Sequence, residues 1–410
     1  MKKIEKILVY IDFDASKKKV GELVVSANTI YFKYDSDFLN SRLNISPFKL
    51  PLNNTIVQAP ITPFNGLFGV FNDSLPDGWG KLLLDRNLQN KGINPNQISP
   101  LDRLSFVGKN GMGALTYQPE FEENTFSSAL LDLDLLHKEM NIVLNGESSE
   151  IIDDLFLLGG SSGGARPKIN IGYNPTTSHI IHDDGNLPEG FEPWIIKFPS
   201  SFDQIDAAQI EFVYHKMAIA AGLEMMPCQL FEGKTGRYYF GTKRFDRNHN
   251  NRTHLHTASG LLHDDFRMSS LDYGHLMDAA FQLEKDIRVY EKILRLAAFN
   301  LYSHNRDDHS KNFSFLMTKN GIWQLAPVYD LTFSSSSFGS HSTSFAGEYK
   351  NPTQEHLIEL ANVFGIKNPK PIIEEVKQAI SNWKNTAKLY NVSTESTKLI
   401  EKTIENLLRQ

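Results

Sequence analysis

From about residue 272 to the C-terminus, apolar side chains recur at helical spacing, and one stretch, 306–329, interrupts them. That change of period limits the folds open to the chain. Ahead of it, from residue 155, the pattern is a strand, a Gly-rich turn and a strand over 168–173. A loop, a strand over 194–198, a helix over 207–221 and strands over 228–231 and 238–243 follow. A small β-rich part with one helix, followed by a larger helical part, is the order of a two-lobed α+β body.

The 410 residues suffice for two or three domains. Residues 1–120 read as short strands and turns, with strands over 9–13 and 30–34 and prolines at 47, 51, 60 and 63. Asp73-Ser74-Leu75-Pro76-Asp77-Gly78-Trp79-Gly80 opens a helix over 81–88, with Ser74 as its N-cap and Pro76 in its first turn. A helix over 130–145, with Leu131, Leu135, Leu136, Met140 and Val143 on one face, links this front part to the rest. The division expected is 1–120, a β-rich N-terminal domain; 121–247, linker helix and small lobe; and 248–410, helical large lobe. Within 306–329, Asn320-Gly321 marks a hairpin with a type I′ turn. The final helices carry Ile372, Val376, Ile380 and Trp383, then Leu399, Ile400, Ile404 and Leu407. Ser334 to Ser337 reads as a mobile loop.

Composition excludes several classes. Forty-two basic against 48 acidic residues, a net charge of −6, argues against a chain that wraps nucleic acid by its bulk charge. A single cysteine, Cys228, forms neither an internal disulfide nor a Cys-based zinc site, and in Met225-Met226-Pro227-Cys228, at the end of a helix, it reads as a small core residue. No segment has the roughly 18 apolar residues that span a bilayer. The run Ile7 to Ile11 stops at Asp12, so it reads as a first strand rather than a signal sequence, and the expected location is cytoplasmic. His304 and His309 flank two aspartates but lack HExxH spacing, and His254-x-His256 reads as an exposed loop pair.

The chemistry-bearing residues cluster in His304-Asn305-Arg306-Asp307-Asp308-His309-Ser310-Lys311-Asn312. Phosphoryl transfer requires held phosphates, a placed divalent metal and an acceptor hydroxyl oriented by a carboxylate. Asp307 and Asn312 have the Asp-x-x-x-x-Asn step, between an apolar helix and a strand. Asp330 follows the strand after the hairpin. Asp307 would act as base, with Asn312 and Asp330 as hard oxygen ligands for Mg²⁺. Upstream, Lys197 sits in an apolar strand, where a lysine is costly unless paired or bound to phosphate, and Glu211 on the next helix could pair with it. Gly159-Gly160-Ser161-Ser162-Gly163-Gly164-Ala165-Arg166-Pro167-Lys168 is Gly-rich without matching a Walker A or GxGxxG pattern. It reads as a phosphate-facing loop or a flexible hairpin turn.

Taken together these residues resemble the HipA family of bacterial serine/threonine kinases, toxins of HipBA-type toxin–antitoxin pairs. The resemblance rests on Ser74–Gly80, Gly163–Lys168, Lys243-Arg244-Phe245-Asp246-Arg247, Asp307-x-His309-x-Lys311-Asn312 and Tyr329-Asp330, in the family's order over nearly the whole chain. It implies a bilobed protein-kinase-like fold that uses ATP and Mg²⁺. It also implies Asp307 as base, Asn312 and Asp330 as metal ligands, and Lys197 on the ATP phosphates. Gly163, Gly164, Ala165, Arg166, Pro167 and Lys168 would form the phosphate loop. Lys243, Arg244 and Phe245 would line the adenine pocket, with His309, Ser310, Lys311 and Tyr329 near the nucleotide. Ser161, or its neighbour Ser162, would be autophosphorylated, which ejects the loop and inactivates the enzyme. The implied partner is a HipB-like helix-turn-helix antitoxin that makes most of the DNA contact. An aminoacyl-tRNA synthetase is one substrate the family offers. Lys243 departs from the acidic residue some members carry there. His256–His263 and His341–Glu348 point to a HipA-like branch. A small-molecule kinase of the same fold and a non-catalytic corepressor of a DNA-binding antitoxin remain alternatives.

Overall fold

The structure, a computed structural model, describes residues 3–14, 16–121, 131–160, 163–200, 203–336 and 339–410. Ser161 and Ser162, and Ser337 of the serine run, lie outside the described residues.

The front of the chain builds an antiparallel sheet from Lys6–Asp12 (β1), Lys17–Ser26 (β2), Thr29–Tyr34 (β3), Val57–Gln58 (β4) and Leu115–Gln118 (β5), in the order β4-β3-β2-β1-β5. Alternation explains β1: Ile7, Val9 and Ile11 are buried, while the residues between them keep more exposure. Four helices accompany the sheet: Ser36–Leu39 (α1), Gly69–Asn72 (α2), Gly78–Asn90 (α3) and Pro100–Val107 (α4). Asp77, not Ser74, occupies the N-cap of α3, and Ser74 instead accepts a hydrogen bond from the buried Tyr117 hydroxyl at 2.6 Å.

The small lobe contains helices Leu133–Leu144 (α5), Ile152–Gly159 (α6) and Ala207–Ala220 (α7). Its sheet comprises Lys168–Tyr173 (β6), Ile180–His182 (β7), Glu192–Lys197 (β8), Cys228–Glu232 (β9) and Tyr238–Lys243 (β10), ordered β7-β6-β8-β10-β9. The strand expected at 155 is α6. A four-residue apolar run fits either period, and Asp153 and Asp154 in its first turn favour the helix through its dipole. Helix α5 starts later than expected, with Asp132 as its cap. Leu135 lies off the buried stripe. Cys228 opens β9, in line with the strand expected over 228–231 and not with its reading at a helix end, and it is partly buried.

A two-stranded ribbon, Arg247–Asn248 (β11) with Asn251–Arg252 (β12), leads into the large lobe. There His254–Thr257 (β13), Ser314–Met317 (β14) and Trp323–Leu325 (β15) form a third antiparallel sheet. Around it lie Ala258–Leu262 (α8), Tyr273–Glu284 (α9), Arg288–Tyr302 (α10), Gln354–Val363 (α11), Pro369–Ser381 (α12), Trp383–Leu389 (α13) and Thr394–Leu408 (α14). The β14–β15 turn is not type I′. Only Gly321, at φ 78°, is left-handed, and its N–H donates to Thr318 O at 2.9 Å, the form of a type I turn closed by a glycine bulge. The interruption of helical pattern continues past Tyr329 to Thr353, and α11 begins only at Gln354. His254 and His256, expected to be exposed, are fully buried on β13.

The apolar core does not stop between the front sheet and the lobes. One cluster runs from Ile7 and Phe32 through Phe68 and Leu261 to Ile404, while a second joins Trp79 and Leu83 of α3 to Ile169 and Ile196 of the small sheet. The front part is fastened to the large lobe at α2 and α8. A side chain on Gly69 would place Cβ 2.1 Å from Gly260 O, so the two backbones touch. Beside them Asp73 accepts from His256 Nδ1 at 2.6 Å, Thr257 N at 2.8 Å and Thr257 Oγ1 at 2.7 Å. The front part is fastened to the small lobe by Asp246, which binds Arg244 at 2.9 Å, Arg247 at 2.7 Å and the Gly113 N–H at 2.8 Å. Among the described residues, no helix is long and apolar enough to cross a membrane.

Candidate functional site

Lys197 ends β8, the middle strand of the small sheet. Its partners in register are Lys168 on β6 and Phe240 on β10. Two lysines directly opposite one another repel unless anions accompany them. Two anions reach Lys197 Nζ: Glu211 Oε1 from α7 at 2.5 Å, and Asp330 Oδ1, arriving from beyond β15, also at 2.5 Å. Burial alone would lower the Lys197 ammonium, but Asp330 and Glu211 outweigh it and raise it above its ordinary value. Burial likewise favours the neutral Asp330 carboxyl, yet Lys197 and then Lys168 hold it well below the usual carboxylate range. Glu211 remains raised by burial, with Lys197 opposing. Asp330 is therefore the firmer of the two negative charges. Its backbone is left-handed, φ 59°, a conformation that aspartate tolerates better than most residues.

The loop after α10 brings the second group. Asp307 keeps its side chain 57 % exposed, open to an incoming hydroxyl. The protein around it raises its carboxyl above the ordinary value, His309 opposes this at 3.8 Å, and Asp330 and Asp308 add to it. The Asn312 amide donates from Nδ2 to the Asp307 carbonyl at 2.7 Å, which fixes its orientation and leaves Oδ1 as its acceptor. Asp308 points the other way, into the lobe. It accepts from Tyr273 OH at 3.0 Å and Ser342 N at 2.8 Å, and pairs with His341 Nδ1 at 2.9 Å. It is thus the buried peg beside an exposed Asp307.

The Gly-rich loop lies against the start of α3. Gly164, at φ 92°, donates its N–H to Asp77, and a side chain there would strike Lys168 Nζ at 2.6 Å. Pro167 O accepts from Phe198 N at 2.8 Å, tying the loop to the end of β8. Arg166 is half exposed and pairs with Asp203 at 2.9 Å. Lys311 Nζ reaches Asp77 Oδ2 at 2.5 Å. Tyr329 donates to Lys311 O at 2.6 Å, and its ring lies 5.3 Å from that of Phe245. Ser310 is buried, and its hydroxyl has no partner among the described residues.

The structure thus gathers Lys168, Glu211 and Asp330 about Lys197, ties Lys311 to the loop at Gly164 through Asp77, and sets Asn312 on Asp307. It does not bring the Lys243 and Arg244 side chains into that set. Lys243 pairs with Glu192 at 2.8 Å, and Arg244 is buried in the Asp246 cluster. Sequence reasoning missed Asp308 and the part Asp77 plays. Asp77 had been read only as part of a helix-opening motif, and Asp308 was masked by its neighbour. The donors fit Mg²⁺: a firmly ionised carboxylate at Asp330 and an amide oxygen at Asn312 are hard ligands that leave positions for phosphate oxygens and water. Among the described residues, no cluster of three or more His, Cys, Asp or Glu offers an all-protein metal cage.

Comparison with known proteins identifies the family and the fold. The HipA N-terminal domain profile matches residues 11–118, and the HipA-like C-terminal domain profile matches residues 160–383. The serine/threonine-protein kinase toxin HipA of Shewanella oneidensis is 24% identical over 345 residues, covering 76% of this chain and 72% of that protein. A chain from the solved complex of the Shewanella oneidensis MR-1 toxin–antitoxin system, HipA, HipB and operator DNA, superposes with a TM-score of 0.70. The match covers 98% of this chain and 96% of that one at 18% identity, so the bilobed kinase-like α+β fold is shared. With both halves matched by the family's two domains, this chain belongs to the HipA family.

Proposed function

We propose that this chain is an ATP- and Mg²⁺-dependent serine/threonine protein kinase, the toxin of a toxin–antitoxin pair, acting in the cytoplasm where ATP is available. The observation that carries the reading is the Lys197–Glu211–Asp330 triad, whose Asp330 charge is felt by Asp307 in the loop that also carries Asn312. Its kinase-named relative supports the same reading.

In this reading Lys197, with Lys168 beside it, holds the phosphates, and Glu211 fixes the Lys197 ammonium. Asp330 and Asn312 would hold Mg²⁺, which when bound neutralises charge on the phosphate oxygens. Asp307 accepts the proton of a serine or threonine hydroxyl as that oxygen bonds to the γ-phosphorus. The bond from the γ-phosphorus to the bridging oxygen breaks, and ADP leaves. Phe245 and Tyr329 offer aromatic faces to the base. Ser161 or Ser162 is the proposed autophosphorylation site, and a HipB-like helix-turn-helix protein is the proposed partner, as in the named complex. Incubation of the purified chain with labelled ATP and Mg²⁺ tests the reading. Label is expected on the protein or a protein substrate and absent from Asp307→Asn. Equal labelling of both would overturn it.

A further inference from the structure

Asp77 belongs to the front part of the chain, yet its carboxylate is divided between two pieces of the crevice. One oxygen accepts the Gly164 N–H of the Gly-rich loop, and the other binds Lys311 Nζ of the Asp307 loop at 2.5 Å. Two backbone contacts reinforce it. Trp79 N donates to Gly164 O at 3.1 Å, and Gly78, at φ 40°, lies so close that a side chain would come 2.4 Å from Ala165 Cα. The backbone N–H and C=O of Gly164, which belong to the peptides on either side of it, are therefore both taken up by the stretch from Asp77 to Trp79. Burial disfavours the Asp77 charge, but Lys311 and the Gly164 N–H overcome it, and the carboxyl is held below its ordinary value.

The contact also joins groups that have no covalent reason to move together. The Gly-rich loop belongs to the small lobe and Lys311 to the large lobe. Asp77 comes from neither, and it is almost fully enclosed. Removing a carboxylate that serves two partners at once frees both. A carboxylate that imitated phosphate would occupy the loop's donors alone. Here the Gly164 C=O is used as well, by Trp79 N, so the loop is docked on both sides of Gly164.

We propose that Asp77 is a positioning residue for nucleotide binding: it seats Gly164 of the Gly-rich loop and Lys311 in a common orientation toward the phosphates. The proposal rests on the nucleotide-dependent reading above. Asp77→Asn keeps the shape but replaces the ionised acceptor of the Gly164 N–H by a weaker neutral one and removes the charge that holds Lys311. It is expected to raise KM for ATP about tenfold while kcat changes by less than about threefold. In hydrogen exchange followed by mass spectrometry, a peptide spanning Gly164 and Ala165 is expected to exchange faster in the variant. Lys311→Met breaks the same contact from the large lobe, so the effect of Asp77→Asn on KM should shrink in its background.

An unchanged or lower KM in a folded Asp77→Asn, or unchanged exchange at Gly164–Ala165, overturns the proposal while the nucleotide reading stands. A wild-type chain with no affinity for ATP·Mg²⁺ overturns both. If Asp77→Asn does not fold, Lys311→Met decides alone through exchange at Gly164–Ala165: faster exchange supports the proposal, and unchanged exchange overturns it.

Discussion

Lys197 Nζ and Asp330 Oδ1 lie 2.5 Å apart although the residues are 133 positions apart in the chain, and the same ammonium also holds Glu211. A strand of the small lobe, a helix beside it and a loop of the large lobe are thereby pinned at one point. The chemistry of the crevice and its stability share that point.

Replacing Lys197 by Met leaves the buried Glu211 without its cation and the partly exposed Asp330 with Lys168 alone. A loss of about 3–5 kcal/mol is expected, the usual result of breaking a buried pair from one side. Urea denaturation would measure it. The pH dependence follows from the directions of the shifts. Asp330 is depressed, so its contribution is present above the unfolded carboxyl value of 3.8 and is lost only as pH falls through its lower folded value. Lys197 is raised, so its contribution is present below 10.5 and is lost only as pH rises through its higher folded value. The wild-type Lys197–Asp330 pair therefore holds across neutral pH, whereas Lys197→Met should gain stability as pH is lowered from 7 toward 4 and its carboxylates take up protons.

Asp307→Asn is expected to lower kcat by at least about 100-fold, because the proposed general base is lost and no buried contact is broken. Its melting temperature should match the wild type. In the wild type the raised Asp307 carboxyl must be ionised to accept a proton, so the rate should rise with pH through a value above 3.8. A rate independent of pH on the acidic side would contradict the assignment.

Chelation of divalent cations should stop phosphate transfer, and added Mg²⁺ should restore it. Asn312→Ala, which removes one neutral ligand, should raise the Mg²⁺ concentration at half-maximal rate about tenfold, and Asp330→Asn should be inactive at every Mg²⁺ concentration. Steady-state rates over a Mg²⁺ series distinguish these outcomes from a change in ATP affinity.

Asp308→Ala removes the carboxylate shared by Tyr273, His341 and the Ser342 N–H. These groups are enclosed, so the expected cost is about 2–4 kcal/mol. Activity should fall more than stability alone explains, since Asp307 is the next residue. His341→Ala, which removes one partner, should cost less. Thermal melts and kcat of both variants, at a temperature where both remain folded, check the order.

Much of this was legible in the linear chain. The five-residue step from Asp307 to Asn312 and the lone lysine of an apolar strand are local, and each has a chemical reason visible without coordinates. The misreadings occurred where local pattern carries little information. Leu155 to Leu158 is too short to distinguish helix from strand, so α6 was read as a strand. The buried pair His254 and His256 looked like exposed loop residues because their partners, Ile45, Ser46 and Asp73, lie about 200 positions away. Asp77 and Asp308 have the same explanation. A carboxylate that binds distant groups has no signature among its own neighbours.

The contact between Gly69 and Gly260 bears on how such chains can diverge. Because the peptide planes of the two halves abut there, a methyl group on either one would force them apart. Recombination that joins the front of one family member to the lobes of another can yield a sound chimera only if both partners bring a residue without a side chain to that seam.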